Sequence, residues 1–416
     1  MVTEPLGLPP CEPGGPDPTA VTATIGAWVR SPALVELVGY FGGDMPAGPV
    51  GPALAWAAEF STVWDFRAGI RERFDTTHVD YGADLDARLR TLIRALGLGG
   101  RERPAHDRYD HVVVLGGGIR VTMGRAEYAG RLLAAGLAVR SLTGLGSLRW
   151  RDEREHREGR RLGLDPFDTE ADMMTVGLRR SFGLAEPAQV DGGDGWWHRR
   201  WPEPGPAIAE IHVLAAPSSR PPLRANTADT LLGWATHVHT PAAAERVLVV
   251  TNDPYVRHQH CDAVRLLGGR YGCGIETIGY DDAVRSVWGR PLSTTELLQE
   301  VRSSLLAMQN LHDSVSVDRR RSPAGSRKPA LQEYPPPHGV SRSRRHRATP
   351  PERNRPVSDF MDRAKDFADQ HDEQVDKGIQ RAGDEADKRT GGKYDEQIDK
   401  GVDAAQQRTG QGDTSP

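Results

Sequence analysis

Glycine-rich and polar segments that directly follow apolar runs are the residues of this sequence best suited to bind a ligand. Gly116, Gly117 and Gly118 come after the run VVVL, where backbone amides without side chains can approach an anion at the start of a helix. Thr251 and Asn252 follow the run VLVV in the same way. The pattern predicts a site for a small anionic or nucleotide-like ligand, although glycines after a strand also form ordinary structural turns.

A third polar segment, ANTAD, comes just before a helical pattern. Asn226 or Thr227 can cap that helix through its side-chain oxygen, which is a structural role. In the functional interpretation Asn226, Thr227 and Asp229 face the ligand instead. Both interpretations are open from the sequence alone.

No motif identifies a catalytic mechanism. The segment GGGIRV lacks the third glycine of the dinucleotide fingerprint GxGxxG, and no GxxxxGK phosphate loop is present. No Ser-His-Asp order or pair of carboxylates stands out, so the catalytic residues are unknown. His258, His260 and Cys261 carry metal-binding atoms, but residues two apart on a helix point to different faces. A packing or surface role is favoured, and no metal site is predicted.

Strand-like and helix-like patterns alternate over residues 106–313 and would bring the polar segments together. The strand-like runs are HVVVL, LAVRSLTG, AEIHVLAA, RVLVVTND and IETIGYD. Such alternation predicts an α/β fold with an open, mostly parallel sheet and helices on both faces. Because the carboxyl ends of parallel strands share one edge, the polar segments should border one crevice.

The alternation stops between residues 150 and 206. A charged stretch is followed there by GGDGWWHRRWPEPGP, in which Trp196, Trp197 and Trp201 stand among basic residues. These tryptophans could form a lid or a stacking surface for a base. A loop whose tryptophans cover the sheet is the favoured alternative.

The flanking segments complete the organisation of the 416-residue chain. Residues 1–19 are rich in proline and glycine and are predicted to be disordered, and residues 20–105 are predicted to form a helical lead-in. Residues 314–357 are predicted to form a disordered basic linker, with eleven Lys and Arg residues against three acids. This linker could contact nucleic acid weakly, although a simple tether is favoured. Residues 358–416 are predicted to form an acidic, α-helical tail.

The order of these elements resembles the YdcF/SanA/ElyC family of bacterial α/β proteins over residues 110–281. The residues at matching positions are Gly116, Gly117, Gly118, Glu170, Asn226, Thr227, Asp229, Thr251 and Asn252. The resemblance implies that Glu170 joins the ligand site, and that the protein is a nucleotide-binding protein or an enzyme linked to envelope processes. The chain departs from the family pattern at Thr230, Tyr255 and His258, so the fold transfers better than the activity.

The tail carries one narrow apolar stripe on an otherwise charged helical pattern. Phe360, Phe367, Val375 and Ile379 belong to this stripe and recur at helical spacing. A segment with so little apolar mass should be marginally stable alone and should gain order on a protein partner. These four residues are therefore the predicted partner-binding residues, and a merely solvated charged helix is the alternative.

The tail also strongly resembles a small actinobacterial antitoxin family. The segments that carry the resemblance are DRAKDFA, DKGIQRAGD and GGKYDEQIDK. The resemblance implies a type II toxin-antitoxin role, in which the tail binds and neutralises a protein toxin.

Two classes of function follow from these observations. In the first, the antitoxin-like tail performs the function and the α/β domain carries it or senses a small ligand. In the second, a YdcF-like ligand-binding protein or enzyme uses the tail as an interaction appendage. The first is favoured because the tail motif is dense, and a fusion of two genes would give the same sequence.

The cysteines and the apolar runs indicate the compartment. Three scattered cysteines without a CxxC pair favour a reducing environment. No run approaches the roughly 18 apolar residues that span a bilayer. The sequence therefore predicts a cytoplasmic protein without a membrane partner.

Overall fold

Seven strands form one sheet at the centre of the fold. They are β1 Arg108–Val114, β2 Ala138–Ser147, β3 Gln189–Gly193, β4 Trp196–Gly205, β5 Ile208–Ala216, β6 Arg246–Thr251 and β7 Gly274–Gly279. Their order across the sheet is β3-β4-β5-β2-β1-β6-β7. Strands β5, β2, β1, β6 and β7 are parallel, whereas β3 and β4 are antiparallel at one edge. The predicted open, mostly parallel α/β sheet is confirmed.

The computed structural model describes residues 6–66, 78–205, 208–221 and 223–321. These residues belong to one compact unit, Met1–Ala324. The predicted tail and most of the predicted linker lie outside the described residues. Within the described ranges, no helix combines the length and the apolar composition that crossing a membrane requires.

Helices cover both faces of the sheet. They are α1 Pro18–Val29, α2 Pro32–Tyr40, α3 Val50–Phe60, α4 Ala83–Ala95, α5 Ile119–Ala134, α6 Glu153–Arg161, α7 Glu170–Phe182, α8 Thr227–His237, α9 Val256–Ala263, α10 Gly269–Tyr271, α11 Asp282–Trp288 and α12 Thr294–Arg321. Helices α5, α7 and α11 pack on the face that contains Val112 and Val114. Helices α8, α9 and α12 pack on the face that contains Val113. Because both faces are covered, the central strands are continuously apolar.

The helical lead-in packs against α12. Helices α1, α3 and α4 contact this long helix, and their buried residues join the core on that face of the sheet. Trp28 is fully buried, and its indole Nε1 donates to the carbonyl oxygen of Leu96 at 2.8 Å. The lead-in and the sheet therefore share one apolar core.

Residues 6–17, which were predicted to be disordered, pack against α9. The buried guanidinium of Arg257 donates to the carbonyl oxygen of Leu6 at 2.6 Å. The ring of His260 is also buried, and its Nε2 lies 2.7 Å from the carbonyl oxygen of Pro9. The prediction is wrong for this segment because buried side chains of the domain bond its backbone carbonyls in place of a regular helix or strand.

Helix α12 continues past residue 313, the predicted end of the α/β domain. Its described residues extend to Arg321, and Val315 is 4% exposed. The apolar spacing continues from Leu311 to Val315, so the helix keeps a buried face over another turn. The predicted start of the linker at residue 314 is therefore too early.

The region without predicted alternation contains strands β3 and β4. Trp196, Trp197 and Trp201 all lie on β4. Trp201 is buried, and the ring of Trp196 stacks on that of His237 with 4.1 Å between centroids. The Arg199 guanidinium lies 4.0 Å from the ring centre of Trp197. These tryptophans belong to a strand that pairs with both β3 and β5, and neither the predicted loop nor the lid describes them.

Candidate functional site

A crevice lies where the chain reverses its direction along the sheet. After β1 the chain forms β2, β3, β4 and β5 on one side of this strand. It then crosses to the other side of β1 and forms β6 and β7. The loops after β1 and β6 diverge at this point, which is where open α/β sheets bind ligands. A cavity of about 730 Å³ opens there.

Seven of the nine predicted ligand-site residues line this crevice. They are Gly116, Gly117, Gly118, Glu170, Asn226, Thr227 and Asn252. The other two are Thr251 and Asp229. Thr251 is fully buried, and its hydroxyl donates to Oε1 of Gln259. Asp229 forms a capping box with Asn226 at the start of α8, so the capping role of Asn226 is present in the structure.

The three glycines after β1 differ in the space around them. A Cβ atom on Gly116 would lie 2.5 Å from the carbonyl oxygen of Leu145, and one on Gly117 would lie 2.9 Å from Cγ1 of Val121. Gly118 is the N-cap of α5, and a Cβ atom there would have nothing within 4 Å. Of the three, Gly118 therefore faces open space.

We expect Gly116→Ala to lower the free energy of unfolding by about 1 to 3 kcal/mol, the usual cost of overpacking against a rigid neighbour. Gly118→Ala should change it by less than about 0.5 kcal/mol, because that site is open. Urea denaturation of both variants measures the difference. Equal stabilities would contradict the close contact between Gly116 and Leu145.

Arg125 of α5 connects the ends of two strands. Its side chain is buried, with 1% of the residue exposed. Nη1 donates to the carbonyl oxygens of Leu115 at 2.9 Å and Gly116 at 2.6 Å. Nε donates to Oδ1 of Asn252 at 2.8 Å. Arg125 therefore fixes the loop after β1 relative to the loop after β6, although no sequence motif singled it out.

A second buried arginine, Arg151, bonds the same glycine loop. Its Nη2 donates to the carbonyl oxygen of Gly117 at 2.7 Å, and its Nη1 donates to Oε1 of Glu155 at 2.5 Å. Glu155 also accepts from Nη2 of Arg149 at 3.2 Å. Burial lowers the pKa of Arg151, and the carboxylates of Glu170 and Glu155 oppose that shift. The loop after β1 is thus held by two buried guanidinium groups.

Glu170 is the first residue of α7 and is buried beside the end of β2. The hydroxyl of Ser147 donates to its Oε2 at 2.6 Å. The helix starts with a capping box between Thr169 and Asp172, which fixes the direction of its first turn. The carboxylate of Glu170 is therefore oriented at the wall of the crevice.

Positive side chains predominate around the crevice. Eight arginines and five acidic residues are among its lining residues. Several of these arginines pair with acids, as Arg120 does with Glu158 at 2.5 Å. Because ion pairs this exposed contribute little, such arginines can exchange their partners for an anionic ligand.

Asp253 is the acidic residue after β6. It is accessible to solvent within the crevice, yet the surrounding protein removes part of its hydration shell. This desolvation raises the pKa of the carboxyl group, while the guanidinium of Arg285 lowers it and the carboxylate of Glu102 raises it. A carboxyl group of this kind can exchange a proton with a bound ligand.

The two histidines of α9 lie in different surroundings. His260 is buried, and burial lowers its pKa to about 4. His258 lines the crevice, and its Nδ1 lies 3.5 Å from Oε2 of Glu300. The two side chains therefore point away from each other, as their spacing predicted.

The predicted partner-binding residues of the tail are not part of this site. Phe360, Phe367, Val375 and Ile379 lie outside the described residues. Their role remains a prediction from the sequence.

Comparisons with known proteins identify relatives of both parts of the chain. The family model of the Rv3785 N-terminal domain matches residues 12–97, and that of the MT0933-like antitoxin protein matches residues 361–409. The uncharacterized proteins Rv3785 and MT3893 of Mycobacterium tuberculosis and Mb3814 of Mycobacterium bovis are each 31% identical to this chain over 343 residues. Each match covers 74% of this chain and 94% of the relative.

No solved structure matches the chain significantly. The two matched segments lie outside residues 110–281, which carry the resemblance to the YdcF/SanA/ElyC family. That resemblance therefore stays a prediction.

Proposed function

We propose that this chain, which belongs to the family of the mycobacterial protein Rv3785, binds an anionic, nucleotide-like small molecule in its crevice and a protein toxin through its C-terminal segment. The first part rests on one observation. Two buried arginines hold the glycine loop after β1, and one of them, Arg125, links that loop to Asn252 at the carboxyl ends of β1 and β6.

The chemistry of the loop favours an anion. Gly118 precedes α5 without a side-chain cap, so the amides of the first helical turn can donate to a ligand. The partial positive charge of the helix start and the surrounding arginines act in the same direction. A phosphate or carboxylate group of the ligand would bind at this end.

The size and the polar groups of the crevice favour a ligand larger than a simple ion. A volume of about 730 Å³ lies within the range of roughly 300 to 1,000 Å³ that is typical of small-molecule sites. Oriented groups such as Glu170 and Asn226 can bond the hydroxyl or amino groups of a nucleoside. We propose binding and assign no reaction.

A thermal-shift screen with nucleotides, dinucleotides and sugar phosphates tests this proposal. A ligand present at a hundred times its dissociation constant should stabilise the protein by about 2.7 kcal/mol. Gly118→Leu should remove that shift, because the new side chain enters the open space of the crevice.

Gly39→Leu on α2 is the matched control, since a Cβ atom on Gly39 also has nothing within 4 Å and the residue does not line the crevice. It should leave the ligand-induced shift unchanged. The crevice is not the site if no compound raises the melting temperature, or if both variants respond like the unaltered protein.

Toxin binding is supported by a different observation, the match of residues 361–409 to the MT0933-like antitoxin protein. The narrow apolar stripe of this segment suits a partner groove better than an independent core. Loss of neutralisation when the stripe is broken by a charged residue tests this part of the proposal.

A further inference from the structure

A group of side chains that could coordinate a metal ion lies near the amino ends of β1 and β6, whereas the crevice lies at the carboxyl ends of the strands. We propose that His111, His239 and Glu245 form a binding site for a divalent transition metal of the zinc type. One donor atom from each of the three side chains lies within 4.8 Å of the other two. The sequence did not indicate this group of residues, because His111 is far from the other two along the chain.

The distances suit tetrahedral coordination. Nε2 of His239 lies 3.0 Å from Oε2 of Glu245, and Nε2 of His111 lies 3.4 Å from the same oxygen. Ligands about 2.0 to 2.1 Å from a tetrahedral zinc ion are separated by roughly 3.3 to 3.4 Å. Two imidazoles and one carboxylate leave a fourth position for water or another ligand.

Neighbouring groups orient the donor atoms as in established metal sites. The hydroxyl of Ser141 lies 2.8 Å from Nδ1 of His111, which leaves Nε2 to face the cluster. The backbone amide of Ala242 donates to Oε2 of Glu245 at 2.8 Å. The ring of Trp234 packs 5.5 Å from that of His111 and contributes an apolar wall.

In this structure the guanidinium group of Arg140 supplies the positive charge beside the three side chains. Its Nη2 lies 2.8 Å from Nε2 of His111 and 3.3 Å from Nε2 of His239, and it also contacts Oε1 of Glu245. This one nitrogen thus neighbours all three side chains. The Arg140 side chain is 52% exposed, so it can turn into solvent when a metal ion takes its place.

Zinc binding to the full chain tests the proposal, with stoichiometry and affinity measured by calorimetry against zinc chloride. His239→Gln and Glu245→Gln should each remove one zinc equivalent from the chain. Arg140→Met should tighten zinc binding, because it removes a competing cation. Ser141→Ala should weaken it by about 10- to 100-fold through loss of the bond that orients His111.

His212→Gln is the matched control. His212 also neighbours a histidine and a glutamate, but its Nδ1 faces His198 at 2.9 Å and its Nε2 faces Glu210 at 3.0 Å, so these groups form a chain without a common centre. This variant should keep the zinc equivalent, and Co²⁺ loaded in place of zinc should give the absorption of a tetrahedral site.

An unchanged zinc stoichiometry in His239→Gln and Glu245→Gln would overturn the proposal. So would an Arg140→Met variant that melts at a lower temperature and binds zinc no better than the unaltered chain. In either case the cluster would be an ion-pair network that Arg140 completes.

Discussion

Arg125→Met is expected to lower the free energy of unfolding by about 3 to 5 kcal/mol, because buried acceptors lose their donor. Three bonds disappear at once, to the carbonyl oxygens of Leu115 and Gly116 and to Oδ1 of Asn252. Each buried acceptor left without a donor costs about 1 to 3 kcal/mol. Urea denaturation measures the loss, and the thermal-shift screen should show no ligand response in the variant.

Two further variants make this expectation specific. Arg131→Met removes an exposed arginine from the same helix, whose pair with Glu127 lies at the surface, and should change stability by less than about 1 kcal/mol. Arg125→Lys keeps the charge but lacks the planar fork, so it should recover only part of the loss. If Arg125→Met were as stable as Arg131→Met, the connection between the two strand ends would not depend on this side chain.

The parallel part of the sheet could be predicted because its strands are buried on both faces. Val112, Val113 and Val114 alternate between two cores, one on each side of the sheet, so the run is apolar throughout. Glycine or polar residues end these runs at the edge where the crevice lies. Burial on both faces therefore gives a continuous apolar run, which can be recognised in the sequence.

The antiparallel strands β3 and β4 could not be predicted in the same way. On β4, His198 and Trp201 are buried, but Arg199 and Arg200 lie between them and pair with acids of neighbouring elements. Their charges interrupt the apolar run that marks a buried strand. The order of residues 6–17 could not be predicted for a related reason. Their bonds to Arg257 involve backbone carbonyls and therefore leave no side-chain pattern in the sequence.

The sequence indicated the loops of the candidate site but not the arginines that hold those loops in place. Gly116 and Asn252 could be proposed because they follow apolar strands. Arg125 and Arg151 could not, because an arginine is usually exposed and these two donate to backbone carbonyls of the glycine loop. The one signal that could have indicated Arg125 is its place among the apolar residues of α5.

The tail presents the opposite case, in which the function is suggested by sequence alone. Phe360 and Phe367 are the only phenylalanines of residues 358–416, and small or charged residues surround them. We expect a helix with so few large apolar groups to bury too little surface for independent stability. Under the proposed function, contact with a partner would supply the missing stabilisation.

Phe367→Asp is expected to abolish neutralisation of the toxin by the full chain. Burying a phenylalanine in a partner groove contributes roughly 1.5 to 3 kcal/mol, and a buried unpaired carboxylate opposes binding further. The partner recovered by the full chain from its native host would be expressed as a growth inhibitor, and rescue by each variant would be measured. Val375→Asp and Ile379→Asp should act in the same direction, because both residues belong to the same stripe.

Asp369→Asn is the matched control, since it changes a charge two residues away and off the stripe. It should leave rescue intact and slightly reduce the salt dependence of binding, because acidic residues around an apolar anchor mainly accelerate encounter with a basic partner. Circular dichroism of residues 358–416 should show partial helix that increases when the partner is added. A segment that is fully helical alone, together with undiminished rescue by Phe367→Asp, would identify the tail as a solvated charged helix without a binding face.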